Sequence, residues 1–297
     1  MSAVAHGAGP AGPIVALGDD RIALEILPDV GARIHRLRYD GRDLILTPSD
    51  VRRHLDDPWF WGSYPMAPWC NRVEPGRSTL AGHELDLPVN FRDGTSIHGQ
   101  VSQAPWQHVE DGRFRIRAGG DGWPWPYEVE QRFAVEGDVL HLDLDLTNLG
   151  DDAMPAGIGF HPWWVKPLEV AFAAERVHRS NLATDPEPVP VDGPWDRRAL
   201  APMPENLDAT WVDIGEPPIR LAWPEANLAA TITFDAPTRF VTAASPAEID
   251  AVAVEPQTHA PAAIRRLRHG EPGGLRLLDP GETLALAVRI AFGPGEG

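Results

Sequence analysis

The chain has 297 residues, with 43 Asp and Glu against 26 Lys and Arg and a formal net charge of −17. This negative excess leaves no positive field with which to hold a phosphate backbone or an anionic bilayer, so nucleic acid and membrane surfaces are poor partners. The N-terminus lacks the pattern of a secretory signal, and no stretch of about 18 apolar residues occurs. A single cysteine, Cys70, excludes an internal disulfide. We therefore expect a cytoplasmic protein.

Glycine and proline contribute 28 and 31 residues at short intervals, which stops long helices from forming. Between them lie short segments in which apolar and polar residues alternate, a pattern typical of strands with one buried face. The clearest are residues 21–26, 113–117 and 140–146. Asp-Gly pairs at 40–41 and 111–112 predict tight hairpin turns.

The second half of the chain repeats this alternation at the spacing of an antiparallel sandwich. Residues 261–269 are expected to form a short helix, and residues 184–204 a long surface excursion. The predicted strands of this half are 219–223, 230–234, 240–243, 252–255 and 284–292. We predict an all-β antiparallel fold with few short helices, in one domain over residues 1–297, with about residues 1–12 poorly ordered.

Tryptophan is unusually frequent, with eleven copies against three tyrosines. Exposed indoles beside turns are suited to stacking on the apolar faces of sugar rings, whereas buried indoles would fill the ends of a sandwich. The sequence leaves both interpretations open. The indoles that lie beside Pro, Gly or His in predicted loops are Trp59, Trp61, Trp69, Trp123, Trp125, Trp163 and Trp164.

Three short islands carry side chains suited to polar chemistry. Arg72 lies in a segment broken by Pro and Gly, where its fork of donors would bind vicinal hydroxyls or be solvated at the surface. His98 precedes a glycine, where a ligand or the backbone could approach closely. His161 precedes a proline in an extended segment, and is either a general acid and base or a histidine satisfied by a carbonyl.

Glu255 ends an apolar predicted strand. A carboxylate at the end of a buried strand is costly unless it has a partner or a chemical role. His98, His161 and Glu255 could also hold a metal ion, but no closely spaced histidine pair seeds such a site, and we predict none.

The order of these islands resembles the aldose 1-epimerase, or galactose mutarotase, family from about Ile22 to Phe292. The segments that carry the resemblance are Pro65, Asn71-Arg72-Val73, Gly76-Arg77, Ile97-His98-Gly99, Gly159-Phe160-His161-Pro162-Trp163, Asn206-Leu207-Asp208, Glu255-Pro256-Gln257-Thr258 and Leu278-Asp279-Pro280-Gly281-Glu282-Thr283. The resemblance implies a galactose mutarotase-like β-supersandwich with an open sugar cleft, no cofactor, and interconversion of the α and β anomers of a free monosaccharide.

The resemblance also implies roles for individual residues. Glu255 matches the general base of the family, His161 its general acid, and His98 a second histidine near the ring oxygen. The residues implied to bind the sugar are Asn71, Arg72, Asp208 and Trp163.

Two departures from the family pattern concern the sugar. Trp163-Trp164 stands where many members have Tyr-Phe, and the neighbours of His161 are Phe and Pro instead of the Asn-His-Thr/Ser of galactose-specific enzymes. Galactose is therefore not assigned as the preferred sugar.

Three other functions remain open. A carbohydrate-binding domain would use the cleft without catalysis, and a glycoside hydrolase would pair Asp208 with Glu255 across a glycosidic bond. A hexose-phosphate mutarotase would need a local cationic cluster, which Arg265-Arg266-Leu267-Arg268 would supply unless it is a solvated helix face. The expected partner is a monosaccharide, and the expected assembly a monomer or homodimer.

Overall fold

The computed structural model describes residues 4–9, 12–73, 76–120, 122–182 and 187–295. Short 3₁₀ turns occur at Gly193–Trp195 and Pro224–Ala226, and the α-helices are α1 (Arg53–Asp56) and α2 (Ala263–His269). The strands in this part of the chain are β1 (Val4–Gly9), β2 (Gly12–Gly18), β3 (Ile22–Leu27), β4 (Arg33–Tyr39), β5 (Arg42–Asp43), β6 (Ser63–Met66), β7 (Arg72–Val73), β8 (Gly76–Leu80), β9 (His83–Leu87), β10 (Ser96–Ile97), β11 (Gln107–Glu110), β12 (Arg113–Gly120), β13 (Trp123–Glu136), β14 (Val139–Asn148), β15 (Met154–Ala156), β16 (Gly159–Val165), β17 (Glu169–His178), β18 (Val189–Pro190), β19 (Ala201–Pro202), β20 (Asp208–Trp223), β21 (Leu228–Asp235), β22 (Phe240–Ala244), β23 (Ala251–Gln257), β24 (Arg276–Leu278) and β25 (Thr283–Pro294).

One antiparallel sheet joins nineteen of the described strands. From one edge it runs β1–β2–β3–β4–β6–β16–β23–β22–β20, and it continues from β20 through β21–β25–β14–β13–β12–β11. Residues 208–211 of β20 pair with β22, whereas residues 219–223 pair with β21. The long strand β20 therefore passes from one layer of the fold into the other.

The two layers enclose a common apolar core. Ile34 and Phe160 from the first layer line the same interior space as Leu142 and Ile290 from the second. All four belong to the main cluster of buried apolar residues. The prediction of an all-β antiparallel fold with few helices is confirmed.

Local signals in the sequence explain the hairpins. Asp40 and Gly41 both have positive φ, 46° and 77°, as the turn between β4 and β5 requires. The predicted turn at residues 111–112 joins β11 to β12, and the predicted strand 140–146 lies in β14, where buried and half-buried residues alternate. Both predictions are confirmed.

Three further predictions concern single segments. The short helix predicted at 261–269 is α2, two residues shorter at its start. Within the segment expected to be poorly ordered, β1 pairs with β2, while residues 1–3, 10 and 11 lie outside the described residues. The predicted surface excursion contains β18 and β19, and its residues 184–186 likewise lie outside the described part.

Neither α-helix of the described chain meets the requirements of a bilayer-spanning helix, since the longer one has seven residues.

The stacking interpretation of the tryptophans is wrong for most of them. Trp69, Trp123, Trp125 and Trp164 are at most 2% exposed and belong to the main apolar core. The large apolar area of the indole is more favourable inside the sandwich than at its surface. Of the seven, Trp59 and Trp163 line the cleft described below.

Candidate active site

The strands β16 and β23 each present one face to the core and one to a cleft. On β16, Phe160 and Trp164 enter the core, so His161 and Trp163 point the opposite way. On β23, Val254 belongs to the core, and its neighbour Glu255 faces the cleft. The alternation of side chains along a strand therefore brings polar groups to a single concave surface.

Strand register places these polar groups in one row. Tyr64 of β6 lies opposite His161, and Glu255 lies opposite Thr242 of β22. Because Gly159 pairs with Gln257 and Trp163 with Ala253, His161 and Glu255 are also opposite each other. The two residues, 94 positions apart in the sequence, are thus nearest neighbours across two strands.

His161 and Glu255 make direct contact. Nε2 of His161 lies 3.2 Å from Oε1 of Glu255, and both side chains are at least 94% buried. Oε2 of Glu255 is buried without a hydrogen-bond partner among the described residues. A buried carboxyl oxygen that the fold leaves unsatisfied is available to a ligand hydroxyl.

Burial disfavours charge on both members of this pair. It raises the pKa of Glu255 well above its usual range, and the nearby charge of Asp208 raises it further. Burial also lowers the pKa of His161 to about 3, with Arg33 and Arg72 adding to the effect. Both shifts disfavour the doubly charged state and favour one proton shared between an oxygen and a nitrogen 3.2 Å apart.

His98 supplies a neutral donor. Its ring lies edge-on to that of His161, with 4.9 Å between centroids. The backbone N–H of Asn71 donates to Nδ1 of His98 at 3.2 Å, which places the ring proton on Nε2. Burial lowers the pKa of His98 well below its usual value. The imidazole is therefore an uncharged donor in the wall of the cleft.

The pairing of β7 with β10 brings Asn71 and His98 together, and the backbone N–H of His98 donates to the carbonyl of Asn71 at 3.2 Å. Both residues have positive φ, 59° and 57°, and a Cβ atom at the following Gly99 would lie 1.9 Å from the carbonyl oxygen of Ala67. The expectation that a glycine here permits close approach of the backbone is thereby confirmed.

Arg72 is held between two carboxylates. Its Nε donates to Asp93 at 2.7 Å, and its Nη1 lies 3.5 Å from Asp208 and 3.3 Å from Oδ1 of Asn71. The aromatic face of Phe91 lies beneath the guanidinium, 5.4 Å from its carbon. The side chain is fixed in one orientation, as binding of vicinal hydroxyls requires.

Asp208 is oriented by a buried polar network behind it. Asn181 donates from Nδ2 to Oδ1 of Asp208 at 2.5 Å and accepts from the hydroxyl of Thr210 at 2.6 Å. The hydroxyl of Thr210 is also 2.6 Å from that of Thr242, which lines the cleft beside Glu255. This network ties Asp208 to the same row as the His161–Glu255 pair.

The cleft has a volume of about 390 Å³. This is within the range of roughly 300–1,000 Å³ that small-molecule sites occupy. At its mouth Arg92 and Glu248 form an exposed ion pair of 3.6 Å between two loops, and Arg92 covers the rings of Phe60 and Phe91. The cleft is therefore deep, polar at its floor and aromatic at its sides.

All seven residues that the sequence singled out line this one cleft: Glu255, His161, His98, Asn71, Arg72, Asp208 and Trp163. Sequence reasoning missed Tyr64, Asp93, Thr242 and the pair Arg92 and Glu248. Asp93 and Arg92 follow Phe91 in a loop of polar residues that has no strand-like alternation to mark it. Tyr64 lies in the segment before Arg72 that Pro and Gly interrupt. Its contact with His161 depends on the pairing of β6 with β16.

The basic run at 265–268 does not reach the cleft. Arg266 is buried and pairs with Glu187 and Glu271 at 3.2 and 3.8 Å. Arg265 pairs with Glu271 at 2.8 Å. Because these cations are neutralised away from the site, they do not form the phosphate-binding cluster that the sequence left open.

Across the described ranges of the chain, no group of three His, Cys, Asp or Glu side chains is arranged to hold a metal ion. His98, His161 and Glu255 lie close together, but Nδ1 of His98 already accepts a backbone N–H and His161 contacts Glu255 directly.

Comparisons with known proteins agree on the fold. A putative aldose 1-epimerase from Escherichia coli K12 matches with a TM-score of 0.79 and 22% identity, covering 95% of this chain and 99% of that one. A galactose mutarotase-like protein from Clostridium acetobutylicum matches with a TM-score of 0.81 and 14% identity, covering 95% of each. At these identities the likeness shows the fold, so the predicted galactose mutarotase-like architecture is confirmed.

Sequence comparisons extend this result to the family. The uncharacterized protein YphB of Escherichia coli K12 is 27% identical over 250 residues, which cover 77% of this chain and 83% of that protein. The model of the aldose 1-epimerase family matches residues 13–291. Because that match spans nearly the whole sequence, the chain belongs to the aldose 1-epimerase family.

Proposed function

We propose that this protein is a mutarotase that interconverts the α and β anomers of a free, uncharged monosaccharide. The observation that carries the proposal is the buried contact of 3.2 Å between His161 and Glu255 on the floor of the cleft. A second oxygen of Glu255 has no partner among the described residues and is available to the anomeric hydroxyl.

Mutarotation requires one proton to leave the anomeric hydroxyl and one to reach the ring oxygen. In the proposed mechanism Glu255 accepts the first and His161 donates the second, which breaks the bond between the ring oxygen and C1. The aldehyde then rotates about the C1–C2 bond, and closure on its other face reverses both transfers. No proton is gained or lost over the cycle, so no cofactor is needed.

The buried pair suits this cycle because it carries one mobile proton. Burial favours the proton on Glu255, whereas the reaction begins with the proton on His161. A sugar hydroxyl that donates to Oε2 of Glu255 stabilises the carboxylate and shifts the proton across the 3.2 Å contact to His161. Substrate binding thereby produces the acid and the base together.

The remaining polar groups position the sugar. Arg72 and Asp208 present a donor fork and an acceptor whose orientations are fixed by neighbouring contacts. His98 donates from Nε2 without carrying charge, which suits a contact to a ring oxygen or hydroxyl. Trp163 provides an aromatic wall beside His161, 5.2 Å from it between ring centroids.

Charge balance in the cleft favours a neutral substrate. Both arginines that line it are paired, Arg72 with Asp93 and Asp208, and Arg92 with Glu248. The overall charge of −17 adds a repulsive field. A sugar phosphate would therefore have to displace a carboxylate from an arginine before it could bind.

The test is a panel of anomeric equilibration rates measured by polarimetry from freshly dissolved α-anomers. We expect acceleration with at least one of glucose, galactose, xylose or arabinose, and kcat/KM at least about tenfold lower for glucose 6-phosphate than for glucose.

Other results would point to the alternative functions. Binding of these sugars by calorimetry without faster equilibration would favour a carbohydrate-binding domain. Release of reducing sugar from a simple glycoside would favour the hydrolase built on Asp208 and Glu255. Preference for glucose 6-phosphate would contradict the assignment of an uncharged substrate but not the mutarotase activity.

A further inference from the structure

A buried arginine lies behind the cleft and takes no part in the proposed proton transfers. Arg33, at the start of β4, is 0% exposed and forms no ion pair within the described residues. It donates instead to three backbone carbonyls, those of Val30 at 3.1 Å, Pro58 at 2.9 Å and Ser102 at 2.8 Å. One side chain thus holds three loops against the face of the sheet that also carries Tyr64.

The contacts of Arg33 continue into a chain of two histidines. Nη1 of Arg33 lies 3.2 Å from Nδ1 of His54, and since a guanidinium only donates, this nitrogen accepts. Nε2 of His54 therefore carries the proton and donates to Nδ1 of His35 at 2.8 Å. Nε2 of His35 faces Glu25 at 3.8 Å. The arginine fixes both histidines as neutral rings with a defined direction of donation.

On the side of the cleft, Arg33 contacts the ring of Tyr64, which lies next to His161. Its guanidinium carbon lies 5.0 Å from the ring centroid of Tyr64. The ring of Tyr64 in turn stacks on His161, with 4.6 Å between centroids and 22° between planes. Guanidinium, phenol and imidazole therefore lie in succession, ending at Glu255.

Arg33 also acts on the loop that carries Trp59. The carbonyl of Pro58 is held by Arg33, and the next carbonyl, that of Trp59, accepts from the hydroxyl of Tyr64 at 3.1 Å and from Nε1 of Trp163 at 2.6 Å. A shift of this loop would move both aromatic rings that flank His161.

We propose that Arg33 is a positioning residue for the His161–Glu255 pair, holding Tyr64 flat against the imidazole and placing a fixed positive charge behind it. This inference rests on the proposed mutarotase activity. It assigns a role in the reaction to a residue that lines no part of the cleft.

In addition to burial, the positive charge of Arg33 lowers the pKa of His161. Burial lowers the pKa of Arg33 only to about 10, so it remains charged at neutral pH. The groups that face His161 are Glu255 from β23, His98 from the turn after β10, and Tyr64 from β6, with Arg72 nearby. The centroid distances of 5.0 and 4.6 Å place the guanidinium within about 10 Å of the His161 ring. A positive charge at that distance makes the proton on His161 easier to lose by about one pH unit. Because the pair shares its proton, both titration steps of the pair move in the same direction.

Two substitutions separate the charge of Arg33 from its contacts. Arg33→Met removes the charge, so both limbs of the pH–kcat profile should move up by about one pH unit. Arg33→Lys keeps a positive charge at acidic pH, but its compact ammonium cannot span the three carbonyls that the guanidinium fork reaches. The acidic limb should therefore stay in place while kcat falls about tenfold. KM should change little in either variant, because Arg33 does not contact the sugar.

The matched control is Arg38→Met on the same strand, where the side chain is 41% exposed and pairs with Asp43. It should leave kcat and both limbs unchanged. A purely structural role for Arg33 would lower kcat in both Arg33 variants without moving the profile, which would overturn the proposed effect of the charge.

If Arg33→Met does not fold, Arg33→Lys still decides the positioning role. Wild-type kcat in Arg33→Lys would overturn that role, and so would a loss of kcat accompanied by an equal loss of thermal stability. Loss of kcat with an unchanged KM, an unmoved acidic limb and an unchanged thermal midpoint supports it. An unmodified chain without mutarotase activity would overturn the proposed function and this inference together. An active unmodified chain with unaffected variants would overturn this inference alone.

Discussion

Two groups of buried ionisable side chains lie on opposite sides of the Tyr64 ring, and they differ in how completely their hydrogen bonds are made. In the rear cluster of Arg33, His54 and His35, each contact has a donor and an acceptor in a fixed order. In the cleft, Oε2 of Glu255 is buried without a partner among the described residues.

The difference indicates which group reacts and which supports. A buried polar atom without a hydrogen-bond partner destabilises the folded chain. Such an atom is tolerated in a binding site, where a ligand supplies the missing partner. A buried network with all contacts made fixes the structure around it. Both groups contain strongly shifted pKa values, so burial of charge alone would not have distinguished them.

The largest effect is expected at the floor of the cleft. Glu255→Gln keeps the shape of the side chain but cannot accept the anomeric proton, so kcat should fall about 10²–10⁴-fold. Thermal stability near neutral pH should be maintained or raised, because folding no longer requires a buried carboxyl to take up a proton. Polarimetry and thermal denaturation measure the two quantities.

The control for this substitution is Glu175→Gln, since the side chain of Glu175 is 72% exposed and lies outside the cleft. It should behave as the unmodified protein does. A Glu255→Gln variant with unimpaired kcat would remove Glu255 from the mechanism.

Within the rear cluster, His54 should affect stability more than rate. Burial, with Arg33 and His35, lowers the pKa of His54 to about 2, while an unfolded histidine titrates near 6.5. Below about pH 6.5 the unfolded chain binds a proton that the folded chain does not, so stability is lost as the pH falls. At pH 5 this loss is about 2 kcal/mol.

His54→Gln removes that proton uptake. The drop in unfolding free energy between pH 7 and pH 5, measured with urea, should shrink by about 2 kcal/mol relative to the unmodified chain. His269→Gln, at an exposed histidine, should leave the drop unchanged. An equal drop in all three proteins would show that His54 does not remain neutral in the folded state.

The smallest effect is expected at the mouth of the cleft, where Arg92 and Glu248 are 68% and 58% exposed. Glu248→Gln leaves Arg92 unpaired. The ratio of kcat/KM for glucose 6-phosphate to that for glucose should rise about two- to fivefold, because an exposed ion pair contributes less than about 1 kcal/mol. Steady-state rates at low salt measure the ratio.

Arg92→Gln provides the opposite substitution and should lower the same ratio. Equal ratios in all three proteins would show that charge at the mouth does not select the substrate.

The sequence predicted the fold wherever the information is local. Alternation of apolar and polar residues identified β12 and β14, and the Asp-Gly pair at 40–41 identified a hairpin. The site residues were identified by family resemblance, and the structure brings all seven to one cleft. Their roles in catalysis and binding remain proposals.

What the sequence did not predict depends on register between distant strands. The contact of His161 with Glu255 requires β16 and β23 to pair in one particular alignment. Arg33 and His54 have side chains that are usually solvent-exposed. Their burial depends on loops that are distant in the sequence. The sequence left the tryptophans undecided between stacking and burial for the same reason, since proximity to Pro and Gly does not reveal which face of a strand is buried.

The central claim is that His161 and Glu255 share one proton and exchange it with the sugar. Its most direct test is the pH dependence of kcat for the unmodified chain with its best neutral sugar. We expect a bell-shaped profile with its maximum near neutrality, because gain of a second proton or loss of the last one disables the pair. A rate that is flat or changes in one direction across the stable pH range would contradict it.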